Sequence, residues 1–346
     1  MRNIGNYDPF GDREIKMNQS KPGWQSQNAA LAPLFLAVIL TVTYKLGDGY
    51  VMGHLIKSND KLIATLVYLT MGAIVGLIIN FLLCQTPIGK LVDPSFQSIH
   101  GVSLKAHRGA AISGFFAALS TGIYLWSFRT LDPSIVVPLT SLAVLYIGIV
   151  ESITRKVAFR RVLPSILLVL SGVAIASIHE GTNWAVTGGT LIVLLLVYNV
   201  LNAVGELVSK GGVDQSDAIS FGFWRFFWLV IAAVFIAVGT SVATGHFGDY
   251  IVALAGSVGA IPFIIGVMVV VFFANGWANR GLALSNATTK NLVMTGQVVI
   301  SVFATALVGL ILPGVFPSAP TTVFEWTLRL VGTALLMWGV LRLRKE

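Results

Sequence analysis

The feature that most constrains this chain is how its charges are spaced. Ten mainly apolar runs, at 29–48, 62–84, 109–129, 133–153, 162–179, 186–208, 218–242, 257–279, 286–311 and 323–343, are each long enough to cross a bilayer as a helix, a task that takes about 20 residues. The runs are continuous rather than alternating, which selects helices over barrel strands. Lipid permits only those two, because it offers no partner to a backbone polar group. Only 11% of the residues are charged and 55% are hydrophobic, whereas a soluble domain carries about a quarter charged residues. The expected fold class is all-α integral membrane.

The charged residues that exist fall in the short segments between runs. With the N-terminus inside, seventeen lysines and arginines, among them Lys90, Arg108, Arg160, Arg161, Lys210 and Arg280, face the cytoplasm, and only Lys57, Lys61 and Arg129 lie outside. That asymmetry predicts two cytoplasmic termini in a plasma (inner) membrane protein. It also accounts for the net charge of +8 without nucleic acid. The one cysteine, Cys84, excludes an internal disulfide and any multi-cysteine metal site. Residues 1–28 are polar and lack an apolar core, so they read as a short disordered tail and not as a signal peptide.

The chain reads as though written twice. YLWSFRTLDPS (124–134) is echoed by NGWANRGLALS (275–285): Trp126, Arg129, Leu131 and Ser134 return 151 positions later as Trp277, Arg280, Leu282 and Ser285. At an offset of 154, Tyr44 meets Tyr198, Asp48 meets Asn202 and Asp60 meets Asp214. At 167, Ser165 and Gly172 meet Gly332 and Gly339, the growth falling in the loop of Pro313, Pro317 and Pro320. Two five-helix units follow, 29–180 and 181–346. Because five is odd, the second enters the membrane upside down, an arrangement used by secondary transporters with a site between the halves. The echoed corners then lie on opposite faces, where Trp and Arg suit interfacial anchoring and Ser134 and Ser285 can cap the following helices.

The local patterns resemble the drug/metabolite transporter superfamily, in particular its EamA-like members. The resemblance is carried by FRTLDPSIVVPLTSLAVLYIGIVESI, by LLVLSGVAIAS, by LIVLLLVYNVLNAVGELVSKGGVDQSDAISFGFWRFF with Arg225 early in the seventh run, and by LRLVGTALLMWGVL with its paired glycines. It covers nearly everything after residue 29. The second run, KLIATLVYLTMGAIVG, lacks a counterpart of Arg225, and Glu151 has no partner at the end of the ninth. The resemblance implies ten helices as two inverted five-helix repeats, a cavity lined by runs one, three, four, six, eight and nine, and carriage of small metabolites.

An ionisable group in lipid costs about 2.5–3.5 kcal/mol, so each one inside a run marks a candidate site. In run one, Tyr44, Lys45 and Asp48 share a helical turn. Lys45 and Asp48 can pair at i,i+3 near the interface, or the three can act in gating or binding. In run six, Tyr198, Asn202 and Glu206 are spaced by four with Asn199 beside them, a polar face suited to a cavity. Glu206 is the candidate coupling carboxylate; its bland alternative is contact with Lys210. Asn275 and Asn279 repeat the pattern in run eight. Lys290 and Gln297 share a face in run nine, where Lys290 either points inward or snorkels to the cytoplasm. Glu151 and Arg155 fit an exposed i,i+4 pair, Arg225 can reach the inner interface, and Trp224 and Trp228 fit interfacial anchors. Pro138 is the candidate hinge, with a static kink as the alternative.

No phosphate-binding GxxxxGK[ST] sequence is present, and His54, His100, His107, His179 and His246 are scattered without metal-ligand spacing. No metal, cofactor or catalytic residue is expected. The function expected is alternating-access transport of a small polar metabolite, an amino acid or similar, by export. A sugar or nucleotide-sugar carrier is the alternative, which would need two or more inward cations from Lys45, Lys290 and Arg225. An intramembrane enzyme or a channel are the readings from other classes. The partners implied are the small-molecule substrate and the lipid bilayer, with a homodimer as a further assembly.

Overall fold

The computed structural model describes residues 24–100, 102–154, 159–176, 178, 184–285, 287–316 and 322–345. The first 23 residues of the expected tail, and Arg155 with its proposed pairing to Glu151, lie outside them. The described residues form helices joined by short turns and loops, with no strand among them: α1 Trp24–Tyr50, α2 Lys61–Cys84, α3 Ile88–Val92, α4 Leu104–Ser127, α5 Pro133–Thr140, α6 Ala143–Thr154, α7 Phe159–Ala176, α8 Trp184–Ile192, α9 Asn199–Val213, α10 Ala218–Ala243, α11 Phe247–Gly256, α12 Ile261–Leu284, α13 Ala287–Met294, α14 Gln297–Ile311 and α15 Val323–Lys345. Five-residue and six-residue π-helical turns extend α1 (Val51–Leu55) and join α8 to α9 (Val193–Tyr198).

Among the described residues, eight helices are long and apolar enough to cross a membrane: Ala29–Leu55, Lys61–Cys84, Leu104–Ser127, Gly188–Val213, Ala218–Ala243, Val258–Leu284, Thr289–Ile311 and Val323–Arg342. The predicted runs at 133–153 and 162–179 correspond to shorter apolar helices, Pro133–Ile147 and Leu163–Ala176. The outward faces are apolar, with Phe235 75% and Leu310 80% exposed. Polar side chains collect inside, as a lipid solvent requires.

Aspartates start several helices. The side chains of Asp60, Asp132 and Asp217 accept the early N–H groups of α2, α5 and α10, satisfying donors that a helix start leaves open. This corrects one expectation: Asp132, not Ser134, caps the helix after the 124–134 corner. Asp214, which the offset of 154 matches to Asp60, does not start α10 but pairs with Lys210 at 2.6 Å.

Two helices are interrupted at mid-course by the same device. At Ser141–Leu142 the ladder tightens to i→i−3 bonds: Ser141 N–H to Pro138 O, Leu142 to Leu139 and Leu145 to Leu142. At Thr295–Gly296 it does so again, with Gly296 N–H to Val293 O and Val298 to Thr295. In each break a hydroxyl takes a nearby carbonyl, Ser141 that of Val137 and Thr295 that of Leu292. Such bonds compete with the helical ladder. Pro138 has no N–H to give, which weakens the turn before the first break; glycine's poor helix propensity serves the second. The discontinuity thus lies three residues beyond Pro138, the expected hinge, and a proline-free counterpart stands between α13 and α14.

The helices pack in definite pairs: α1 on α12, α4 on α9 and α10, α2 on α10 and α12, α5 on α14, and α7 on α15. The last contact is made by glycine. A Cβ added to Gly172 would come 2.5 Å from the Gly332 carbonyl, and one on Gly332 would come 2.5 Å from that of Gly172. Gly339 likewise abuts the Ser165 carbonyl at 2.7 Å. Small residues let backbones approach in this way where lipid gives no hydrophobic drive.

Loop contacts define two ends. At one, Arg129 donates to Ser58 O (3.2 Å), Lys57 N–H to Ser257 Oγ (2.9 Å), and His54 Nε2 meets Val315 O (2.6 Å). At the other, Arg280 donates to Val92 O (2.6 Å), Lys210 to Leu282 O (3.0 Å) and Ala218 N–H to Asp93 (2.9 Å). The echoed arginines Arg129 and Arg280 therefore each bind a backbone carbonyl, at opposite ends. Trp224 and Trp228 donate to Ile99 O and His107 Nε2, so their indole N–H groups are held by protein.

Candidate functional site

A cavity of about 220 Å³ lies in the middle of the bundle, between the two helix breaks. Tyr44, Lys45 and Asp48 from α1 line it, with Tyr198 from the π turn, Asn202 and Glu206 from α9, Asn275 and Asn279 from α12, Lys290 from α13 and Gln297 from α14. Ten of the predicted positions thus converge on one space. Thr140 and Ser141 at the first break, and Met294 and Gln297 beside the second, belong to the same wall.

Lys45 sits between the breaks. Its Nζ donates to Thr140 Oγ1 at 2.8 Å and to Gln297 Oε1 at 3.1 Å, and lies 5.7 Å from the centre of the Tyr124 ring. One ammonium therefore holds the last residue of α5 and the first of α14. The i,i+3 pair expected between Lys45 and Asp48 is not formed. Asp48 instead accepts from the hydroxyls of Tyr68 and, at 2.7 Å, Tyr124. Lys45 and Asp48 are each 5% exposed, so neither reaches an interface, and partners on other helices outcompete a neighbour that would satisfy only one of their bonds.

A second charged group lines the same cavity. Lys290 Nζ donates to Glu206 Oε2, while Arg225 Nη2 approaches Glu206 Oε1 to 3.9 Å. That last separation is an ion pair without hydrogen-bond contact. Lys290 points inward; at 5% exposure it does not snorkel. Glu206 has no bond to Lys210, which is taken by Asp214. Arg225, expected at the inner interface, lines the cavity. In all, Lys45, Arg225 and Lys290 face Asp48 and Glu206, a formal excess of one positive charge.

Asn199 is the exception among the predicted residues. It is fully buried behind the cavity wall, and its Nδ2 donates to Leu139 O and Leu194 O, both at 2.8 Å. Adjacent helical residues diverge by about 100°, so Asn199 cannot share the face of Asn202. A π turn frees a carbonyl that needs a donor, and Asn199 supplies it while tying that turn to α5.

Sequence reasoning passed over Tyr68, Tyr124, Thr140 and Asn291, all on the cavity wall. The available signal was the question of what could satisfy a mid-helix aspartate. It also passed over Arg329, 0% exposed, which donates to Asp132 at 3.0 Å and Ser134 at 2.8 Å. An arginine between Leu328 and Leu330 was visible as a cost, but nothing local named its partner. Among the described residues no group of three or more His, Cys, Asp or Glu could hold a metal ion. The sequence matches no protein-family model and no curated protein.

Proposed function

We propose that the protein is a secondary carrier that alternates access to the central cavity. In this reading it has ten membrane-spanning helices in two inverted five-helix halves, both termini are cytoplasmic, and it is akin to the EamA-like drug/metabolite transporters of the plasma membrane. The observation that carries the proposal is the cavity itself: a polar, charged space enclosed by an apolar bundle at two helix breaks. Discontinuous helices meeting at mid-membrane are the usual substrate site of such carriers. The packing supports the inverted halves. Exchanging the first five predicted runs for the last five maps the pair α1 with α12 onto α9 with α4, and α2 with α12 onto α10 with α4. The same exchange maps the contact of Gly172 with Gly332 onto that of Gly339 with Ser165, the residues related by the offset of 167.

The cargo proposed is an amino acid or similar small polar metabolite, moved outward. The cavity is small, and both carboxylates and cations line it, which suits a solute with both kinds of polar group. A nucleotide-sugar carrier is the second reading, favoured by the three cations on the wall. Binding followed by passage, rather than catalysis, is the role assigned to these residues. Reconstitution in liposomes with labelled amino acids, sugars and nucleotide-sugars tests it. Saturable uptake or efflux of one class is expected; folded protein that moves none of them overturns it.

A further inference from the structure

The charged wall of the cavity is incompletely satisfied, and the deficit has a shape. Asn279 is 1% exposed, yet its Nδ2 has no hydrogen-bond partner; the same holds for Arg225 Nε. Both residues line the cavity. Gly222, one turn before Arg225 on α10, lets the Asn279 amide come close to α10, since a Cβ there would lie 3.0 Å from Asn279 Nδ2. Among the described residues the one ion pair of Arg225 is 3.9 Å long, and the same cavity wall carries an idle amide donor, so the wall lacks an acceptor group. Buried donors left open are costly, so such a pair persists where something else fills it.

We infer that Arg225 and Asn279 form a receptor for one carboxylate of the cargo, and that the Glu206 carboxylate is the internal group that competes for it. The inference rests on the carrier reading of the cavity. Glu206 is anchored to Lys290 and leans toward Arg225 without bonding it. This partly neutralises the guanidinium while the cavity is empty, when an isolated buried charge would be expensive. A carboxylate entering beside Arg225 replaces that distant partner with direct bonds; the flat guanidinium fork matches a carboxylate edge-on, and Asn279 supplies a further donor. The single excess positive charge selects a monoanionic group. A phosphate dianion would leave a net negative charge in a low-dielectric space.

Tryptophan fluorescence of the purified full chain in detergent, with Trp224 adjacent to Arg225, can read binding of propionate, L-alanine and inorganic phosphate. Propionate and L-alanine should compete for one site, with phosphate weaker than either. Arg225→Gln and Asn279→Leu should each weaken propionate at least ten-fold, and Glu206→Gln should tighten it at least ten-fold. Gly222→Ala, which alters no charge, should weaken it several-fold by displacing the Asn279 amide. Undiminished propionate binding in Arg225→Gln, or phosphate binding tighter than propionate, overturns the inference. Should Glu206→Gln fail to fold, Gly222→Ala and Asn279→Leu decide, and unchanged affinity in both overturns it. Binding as described with no flux in liposomes removes the carrier reading alone; flux with none of these binding effects removes this inference alone.

Discussion

Two groups of buried charge in this bundle make an instructive contrast. Arg329, Asp132 and Ser134 form a directly bonded, closed set, with guanidinium and carboxylate both 0% exposed. Two guanidinium nitrogens bond Asp132 and Ser134 while the Arg329 Nε is left without a partner, and the carboxylate also holds the Ser134 N–H and hydroxyl. Glu206, Lys290 and Arg225 form an open set on the cavity wall, with one tight contact, one loose one and donors to spare. The first group ties α15 to the corner before α5. The second group has capacity left over for something that is not protein. A buried ion is thus a pointer to function chiefly when its neighbours leave it short of partners.

The contrast can be broken by substitution. Arg329→Leu strands Asp132 in the apolar interior and should cost about 3–5 kcal/mol of stability, the largest effect here. Thermal melting should fall steeply, and Arg329→Leu combined with Asp132→Asn should recover most of it; equal melting of the single variant and the parent would put the closed set in the wrong class. Lys45→Met removes bonds to both helix breaks and should cost about 1–3 kcal/mol. It should also reduce flux per folded molecule, which Arg329→Leu should not. Glu206→Gln should change flux more than melting and remove its pH dependence; pH dependence identical to the parent eliminates Glu206 as the coupling group. Lys210→Ala breaks the i,i+4 pair with Asp214 and the bond to Leu282 O and should cost about 0.5–1.5 kcal/mol of stability, with flux unaltered.

How much of this was legible beforehand depended on whether the information was local. The face of Tyr198, Asn202 and Glu206 was readable because lipid cannot accept polar groups every four residues, so they must look inward. The inward turn of Lys290 and the partners of Lys45 and Asp48 were not, because spacing along one helix says nothing about Thr140, Gln297, Tyr68 or Tyr124 on others. Asn199 was misplaced for a subtler reason. Its role depends on the π turn before it, and the Val/Leu run at 193–197 looks like any other apolar helix. The continuous run at 133–153 hid its break because Thr140, Ser141 and Leu142 are unremarkable in a helix until their side chains and the preceding Pro138 act together.

The contact of Gly172 with Gly332 has a further consequence. Most helix pairs meet through side chains, which can change rotamer and absorb a small slide. Here backbone meets backbone, with nothing between to yield. The α7–α15 pair should therefore behave as a bearing without play. Whatever the rest of the bundle does around the cavity, these two helices travel together, and one methyl group added on either side should jam the fit as thoroughly as two.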